Sequence, residues 1–443
     1  MSSNPLVEER MRRFRWGVVA ALLATALVAA PATAEPPPGY FVDESKLPFG
    51  ALPGTDTQRL WGVHGGAGFR VEVPAGWNGR LVLWAHGFHG DGLELTVDPH
   101  PLRPWLIANG YAWAASSFAT NGYDPAQGVK DTHDLAQLFN GLVGRPEVTY
   151  ITGASMGGHV TAASVEQYPS SYDGAMPICG VVGDHELFDF YLDYDLVAQA
   201  LAGVPAEFPP DPVEYSTVTV PTVKAALATN FPSGLNQQGQ RLAAVTKLRS
   251  GGERPLFNAA FPLWANFLFQ FGAGDGTVPR SPGVVVDNTD AVYQFDTDPA
   301  LTPEEAALNQ TVLRVAQEPS GRVGDGLANV PVLDGQITVP VLTLHDLGDL
   351  FVPFLMEQVY AERVADEGRA DLLVQRAIRG VGHCDFTANE LTTGFADLVS
   401  WVERGVKPAG DDVLDPAVVA HPFYGCAFTS QTRNLGPFTA PCP

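Results

Sequence analysis

Runs rich in apolar residues recur along this chain at 80–86, 111–117, 148–152, 174–181, 339–345 and 372–378, and each reads as a strand. Leu81-Val82-Leu83-Trp84 shows no polar alternation, which fits a strand covered on both faces. Between the runs, 102–109, 126–143 and the segment from His159 to Glu166 read as helices. Strands alternating with helices predict an α/β class with a mostly parallel, doubly wound sheet. Residues 61–75 read as a β-hairpin around Gly65-Gly66, and the proline-rich stretch 35–60 as an extended strap. No internal repeat is visible.

The alternation breaks from about Gly183 to Thr338, a stretch too long to be a loop. The expected division is a core over 35–183, an inserted cap over 184–338, a second core segment over 339–408 and a tail over 409–443. Within the cap, 188–192 and 196–201 look helical. Thr302-Pro303-Glu304-Glu305 reads as a helix start with Thr302 as N-cap, Pro303 at the first position and Glu305 at the third, running to about Gln317. Phe261, Trp264, Phe267, Phe269 and Phe271 crowd the segment 257–271. Packing within the cap is preferred for them over a pocket wall.

Gly153-Ala154-Ser155-Met156-Gly157 joins the strand at 148–152 to the following helix. G-x-S-x-G in that setting is a nucleophile elbow: a sharp turn exposes the serine hydroxyl at a helix N-terminus, where backbone N–H groups can meet an oxyanion. A serine needs a base, and the base needs an orienting acid. The chain order for this elbow is serine, acid, histidine. His383 follows the last strand in the glycine-rich Gly380-Val381-Gly382-His383, which makes it the candidate base. His159 falls inside the elbow helix, His345 ends a strand, and His421 lies in the tail. Asp349 is the candidate acid, in the loop after strand 339–345; Asp346 competes, three residues nearer the strand. The loop His86-Gly87-Phe88-His89-Gly90 after strand 80–86 offers the second half of an oxyanion hole, so the Phe88 and Met156 N–H groups are its expected donors. Loop positions near the same face put His86, Phe118, Phe351 and Phe386 forward as pocket residues.

These motifs, over about 60–183 and 336–405, resemble those of α/β-hydrolase-fold serine esterases, in the broad group that includes feruloyl-esterase-like and polyester-depolymerase-like enzymes. The resemblance implies an α/β-hydrolase fold and an ester substrate, apolar, aromatic or polymeric. One feature departs from the tannase and feruloyl esterase pattern, in which a cysteine just before the serine pairs with one just after the histidine. Here Cys384 follows His383, but Ala154 precedes Ser155. The nearest candidate partner is Cys179. Four cysteines allow three pairings. Cys179–Cys384 with Cys426–Cys442 is the preferred set, and the sequence does not choose among the three.

Arg10, Arg12, Arg13 and Arg15 precede a charge-free run from Gly17 to Ala30, and Ala32-Thr33-Ala34 follows. This reads as a signal peptide over 1–34 and a secreted protein. The whole chain carries a formal charge of −23. Removing 1–34, with four arginines and two glutamates, leaves 409 residues with 22 basic against 47 acidic side chains. Such a balance argues against nucleic acid or anionic membranes as partners. Asp287, Asp290, Asp296 and Asp298 cluster without the spacing of a calcium loop. Gly272-Ala273-Gly274-Asp275-Gly276 lacks the lysine of a phosphate loop. No cofactor and no metal are expected. The expected activity is ester hydrolysis through an acyl-enzyme. A serine peptidase of exopeptidase type and a non-catalytic binding protein are the alternatives.

Overall fold

A computed structural model describes residues 39–281, 283–322, 326–328, 330–433 and Cys442. The expected leader, 1–34, lies outside them. The central sheet has eight strands: β1 (Thr57–His64), β2 (Ala67–Pro74), β3 (Arg80–Ala85), β4 (Ala112–Ser116), β5 (Val148–Ala154), β6 (Gly174–Ile178), β7 (Val341–Asp346) and β8 (Leu373–Ile378). Their order across the sheet is β8-β7-β6-β5-β3-β4-β2-β1. β1–β2 and β2–β4 pair antiparallel, and every other pairing is parallel. β1 and β2 are the expected hairpin. Gly65 and Gly66 at its tip have φ of 59° and 89°, the sign that a two-residue turn matching strand twist demands.

The period-two alternation of each strand divides the core. Leu81 and Leu83 of β3 face one side, with Val129, Leu135 and Phe139 of α2 (Pro125–Leu142) and Val160 and Ala163 of α3 (Met156–Gln167). Val82 and Trp84 face the other side, with Leu106 and Ile107 of α1 (Arg103–Ala108) and Phe395, Leu398 and Trp401 of a helix at Ala388–Arg404. The sheet is covered on both faces, as its unbroken apolar strands require.

Residues between β6 and β7 add α4 (Glu186–Ala202), α5 (Val220–Leu227), α6 (Gln237–Arg249), α7 (Phe257–Leu268) and α8 (Pro303–Thr311). After β7 come α9 (Leu355–Asp366) and, after β8, α10 (Ala388–Arg404). The two short helices expected at 188–192 and 196–201 are one, α4, because Asp193 and Asp195 between them are buried on partners instead of breaking the helix. α8 has the capping box of Thr302 and Glu305 but stops at Thr311, short of the expected Gln317. Beyond it, the Asn288 side chain takes the Leu313 carbonyl and the Val315 N–H, which holds that segment extended. The strap is not wholly extended: Asp43 caps a short helical turn at Glu44–Lys46. Arg70 pins it by donating to the carbonyls of Lys46, Leu47 and Val97.

Both disulfides of the preferred set are present, Cys179–Cys384 and Cys426–Cys442. β6 ends at Ile178, not at 181, because Cys179 turns to φ 44° to meet Cys384.

Candidate active site

Ser155 stands between β5 and α3 with φ 60° and ψ −123°, a conformation that costs a non-glycine residue free energy and persists only where its surroundings enforce it. They do so here. The Ser155 N–H donates to the Ile178 carbonyl at 3.0 Å, and the Ser155 carbonyl accepts from Gly158 and His159. A Cβ at Gly157 would lie 2.0 Å from the Ala85 carbonyl oxygen, and one at Gly153 would lie 2.2 Å from the Gly157 oxygen. Only glycines allow β5, α3 and the end of β3 to approach this closely.

Asp349 and His383 come from the loops after β7 and β8. His383 Nδ1 meets Asp349 Oδ2 at 2.5 Å. The other Asp349 oxygen accepts the N–H groups of Phe351 and Val352 at 2.9 and 3.0 Å. The carboxylate is fully buried and fixed from both sides. Cys384 Sγ lies 3.4 Å from His383 Nε2, so the disulfide to β6 braces the loop beside the ring. Phe88 and Met156 both line the cavity onto which Ser155 opens. Among the described residues neither N–H has a hydrogen-bond partner, so both are free for an oxyanion. His86 Nδ1 donates to the Gly87 carbonyl at 2.7 Å, which fixes the peptide plane that carries the Phe88 N–H.

A mostly parallel sheet of eight strands, covered by helices on both faces and carrying a tight serine turn between β5 and α3, decides the fold.

The chain has the α/β-hydrolase fold.

No family model matches it. It is 21% identical over 418 residues to an o-phthalyl amidase of Xanthobacter agilis, across 80% of this chain and 89% of that one. Feruloyl esterase B from Aspergillus oryzae superposes with a TM-score of 0.46 at 16% identity, covering 85% of this chain and 86% of that one. Tannin acyl hydrolase from Aspergillus niger gives 0.45 at 14% identity, covering 80% and 79%.

Within this fold the cavity above Ser155 holds about 240 Å³. Phe88 and Phe351 line it. Phe351 also packs on His383 with ring centroids 4.9 Å apart. Three other pocket expectations are corrected. His86 and Phe118 do not reach the cavity: both are buried and stacked on each other at 4.0 Å, with His89 stacked on the far face of His86 at 3.9 Å. Burial, and then His89, push the His86 imidazole down to about 4, so it is neutral. Phe386 packs against the α1/α10 side of the core. The insertion supplies most of the wall, including Phe271 of the aromatic cluster, for which packing was preferred, and Tyr191 and Asp195, which sequence reasoning did not put forward. The signal was available for Asp195: it falls on the same helical face as Phe188 and Tyr191. Trp264 donates to the Val381 carbonyl, and Phe261 is buried, so most of the expected aromatic cluster packs inside the protein.

The competing histidines have structural partners. His159 bridges the Tyr123 hydroxyl and the Pro331 carbonyl at 2.9 and 2.8 Å, and burial pushes it down to about 4. His345 is buried between the Val352 carbonyl and Glu357. Cys179, His383 and Cys384 bring three metal-ligand atoms within 4.8 Å of one another, but both sulfurs are in the disulfide and supply no thiolate. Asp287 and Asp296 hold N–H groups of their own turns.

Proposed function

We propose that this protein is a secreted serine hydrolase that cleaves carboxylic esters. The reading rests on Ser155, held at φ 60° over an apolar cavity, together with the 2.5 Å bond from His383 to Asp349. As Ser155 Oγ bonds to the ester carbonyl carbon, its proton passes to His383 Nε2. Asp349 stabilises the imidazolium through Nδ1. The carbonyl oxygen becomes an oxyanion and receives the Phe88 and Met156 N–H groups. The tetrahedral intermediate collapses, the alcohol leaves with the proton from Nε2, and an acyl-serine remains. Water then gives its proton to His383 and its oxygen to the acyl carbon. The carboxylic acid departs, and Ser155 recovers its hydrogen.

Export is supported by the arginine-led apolar segment before Ala34 and by two disulfides, which persist in oxidising compartments. Among the described residues no helix is long and apolar enough to cross a membrane. The predominantly apolar wall suits an apolar or aromatic acyl group.

Amide hydrolysis is the second reading, and the o-phthalyl amidase relative favours it. The test sets 4-nitrophenyl esters of graded chain length beside matched 4-nitroanilides, with Ser155→Ala as control. The expected result is ester cleavage that falls to background in Ser155→Ala. Anilide cleavage at comparable rates moves the activity to amides, and an active Ser155→Ala variant overturns the nucleophile.

A further inference from the structure

α4 gives the cavity one face, made by Leu187, Phe188, Tyr191, Leu192, Asp195 and Leu196 at helical spacing. The Tyr191 hydroxyl donates to the Phe351 carbonyl at 2.6 Å, which sets this turn beside the Asp349 loop. Asp195 follows one turn later, about 6 Å along the helix axis.

Three aspartates of α4 are buried: Asp189, Asp193 and Asp195. Asp189 meets Arg322, and Asp193 meets Arg249 at 2.6 Å. Among the described residues Asp195 meets no cation. Its partners are the Tyr215 hydroxyl and, at 2.9 Å, Gln199 Nε2, both neutral. Of these three it is the one that lines the cavity. The other charged side chain among the described lining residues is Glu207, again an acid, and none of them is a Lys, Arg or His. Gly272 closes over the carboxyl: a Cβ there would lie 2.4 Å from Asp195 Cγ and 2.2 Å from the Tyr215 oxygen. Burial pushes the Asp195 carboxyl up to about 6, which leaves it an anion at neutral pH. A carboxylate in an apolar wall with no cation of its own is costly, and a bound cation relieves that cost.

We propose that the substrate carries a cationic nitrogen at the end of an apolar arm, seated against Asp195, with Glu207 as a second acid on the cavity wall. This rests on Ser155 being the nucleophile of the same cavity. It sets apart two other acids of α4: Asp189 is already paired with Arg322, and Glu186, unlike Asp195, is not part of the cavity wall.

The test compares 4-nitrophenyl 6-aminohexanoate, 4-nitrophenyl hexanoate and the mono-4-nitrophenyl ester of adipic acid. The expected kcat/KM is about 10-fold higher for the amino ester than for the hexanoate, and lowest for the adipate. Asp195→Asn should bring the amino-to-hexanoate ratio towards one. Equal rates for the first two esters, or a ratio unchanged in Asp195→Asn, overturn the proposal. A measurement without turnover covers a variant that fails to fold: hexylammonium should raise the Tm of Ser155→Ala, and hexanoate should not. The same Tm response to both ions overturns the cation site. If no ester is cleaved but hexylammonium alone stabilises the protein, the hydrolytic reading falls and the cation site stands.

Discussion

Two aspartates follow the body of β7 closely, and their surroundings differ. Asp349 accepts two backbone N–H groups and meets the imidazole. Asp346 is buried, one of its oxygens has no partner, and burial followed by the Asp349 charge holds its carboxyl well above the usual range. Asp349→Asn is expected to lower kcat by about 10³–10⁴-fold through the wrong imidazole tautomer. Asp346→Asn is expected to keep kcat within about 3-fold, because Asp346 accepts the Asp385 N–H and leaves the imidazole to Asp349. Steady-state kinetics of the two variants checks both, and a reversed order would exchange their roles. The sequence favoured Asp349, but the backbone N–H groups that fix its carboxyl beside the imidazole are not visible in spacing. The same limit explains His86, Phe118 and Phe386. Loop position in the sequence does not say whether a ring faces the cavity or the core.

At the scale of elements, the Cys179–Cys384 bond joins the end of β6 to the histidine loop across 205 residues of sequence. Removing a constraint of this kind costs about 2–5 kcal/mol. The double variant Cys179→Ala/Cys384→Ala should therefore show a lower denaturant midpoint and a reduced kcat, because the brace beside His383 Nε2 is gone. An unchanged midpoint would make the bond incidental. A thiol count on denatured, unreduced protein should find none. Most elements could be read from hydrophobic pattern alone, since β3, β5 and α2 are fixed by which residues must leave water. The errors fell where a side chain overrode the pattern. Cys179 ended β6 by turning left-handed, Asn288 ended α8 by capturing its next backbone groups, and buried Asp193 and Asp195 hid the continuity of α4.

For the whole molecule, acidity acts through buried carboxyls as much as through the surface. Burial pushes Asp131 and Glu166 up to about 7 and Asp195 and Asp411 up to about 6. A carboxyl raised in the folded state adds stability that is full below its unfolded value near 4 and is lost as pH rises through 6 to 7. Asp184 works in the other direction: burial opposes ionisation, but His185 and Arg363 hold its carboxyl below the usual range. Its contribution is present above about pH 4 and is lost as pH falls further. Tm should therefore be higher at about pH 5.5 than at about pH 8, and should fall again below about pH 4. Thermal unfolding across that range checks it, and a Tm that climbs steadily to pH 8 would contradict it. The acidic lining of the cavity also bears on how each catalytic cycle ends. On the ester reading, cleavage turns an uncharged carbonyl at Ser155 into a carboxylate, with no lining cation among the described residues to hold it. An ammonium on the acyl arm would stay against Asp195, so an ω-amino acid product should inhibit more strongly than the plain acid of the same length.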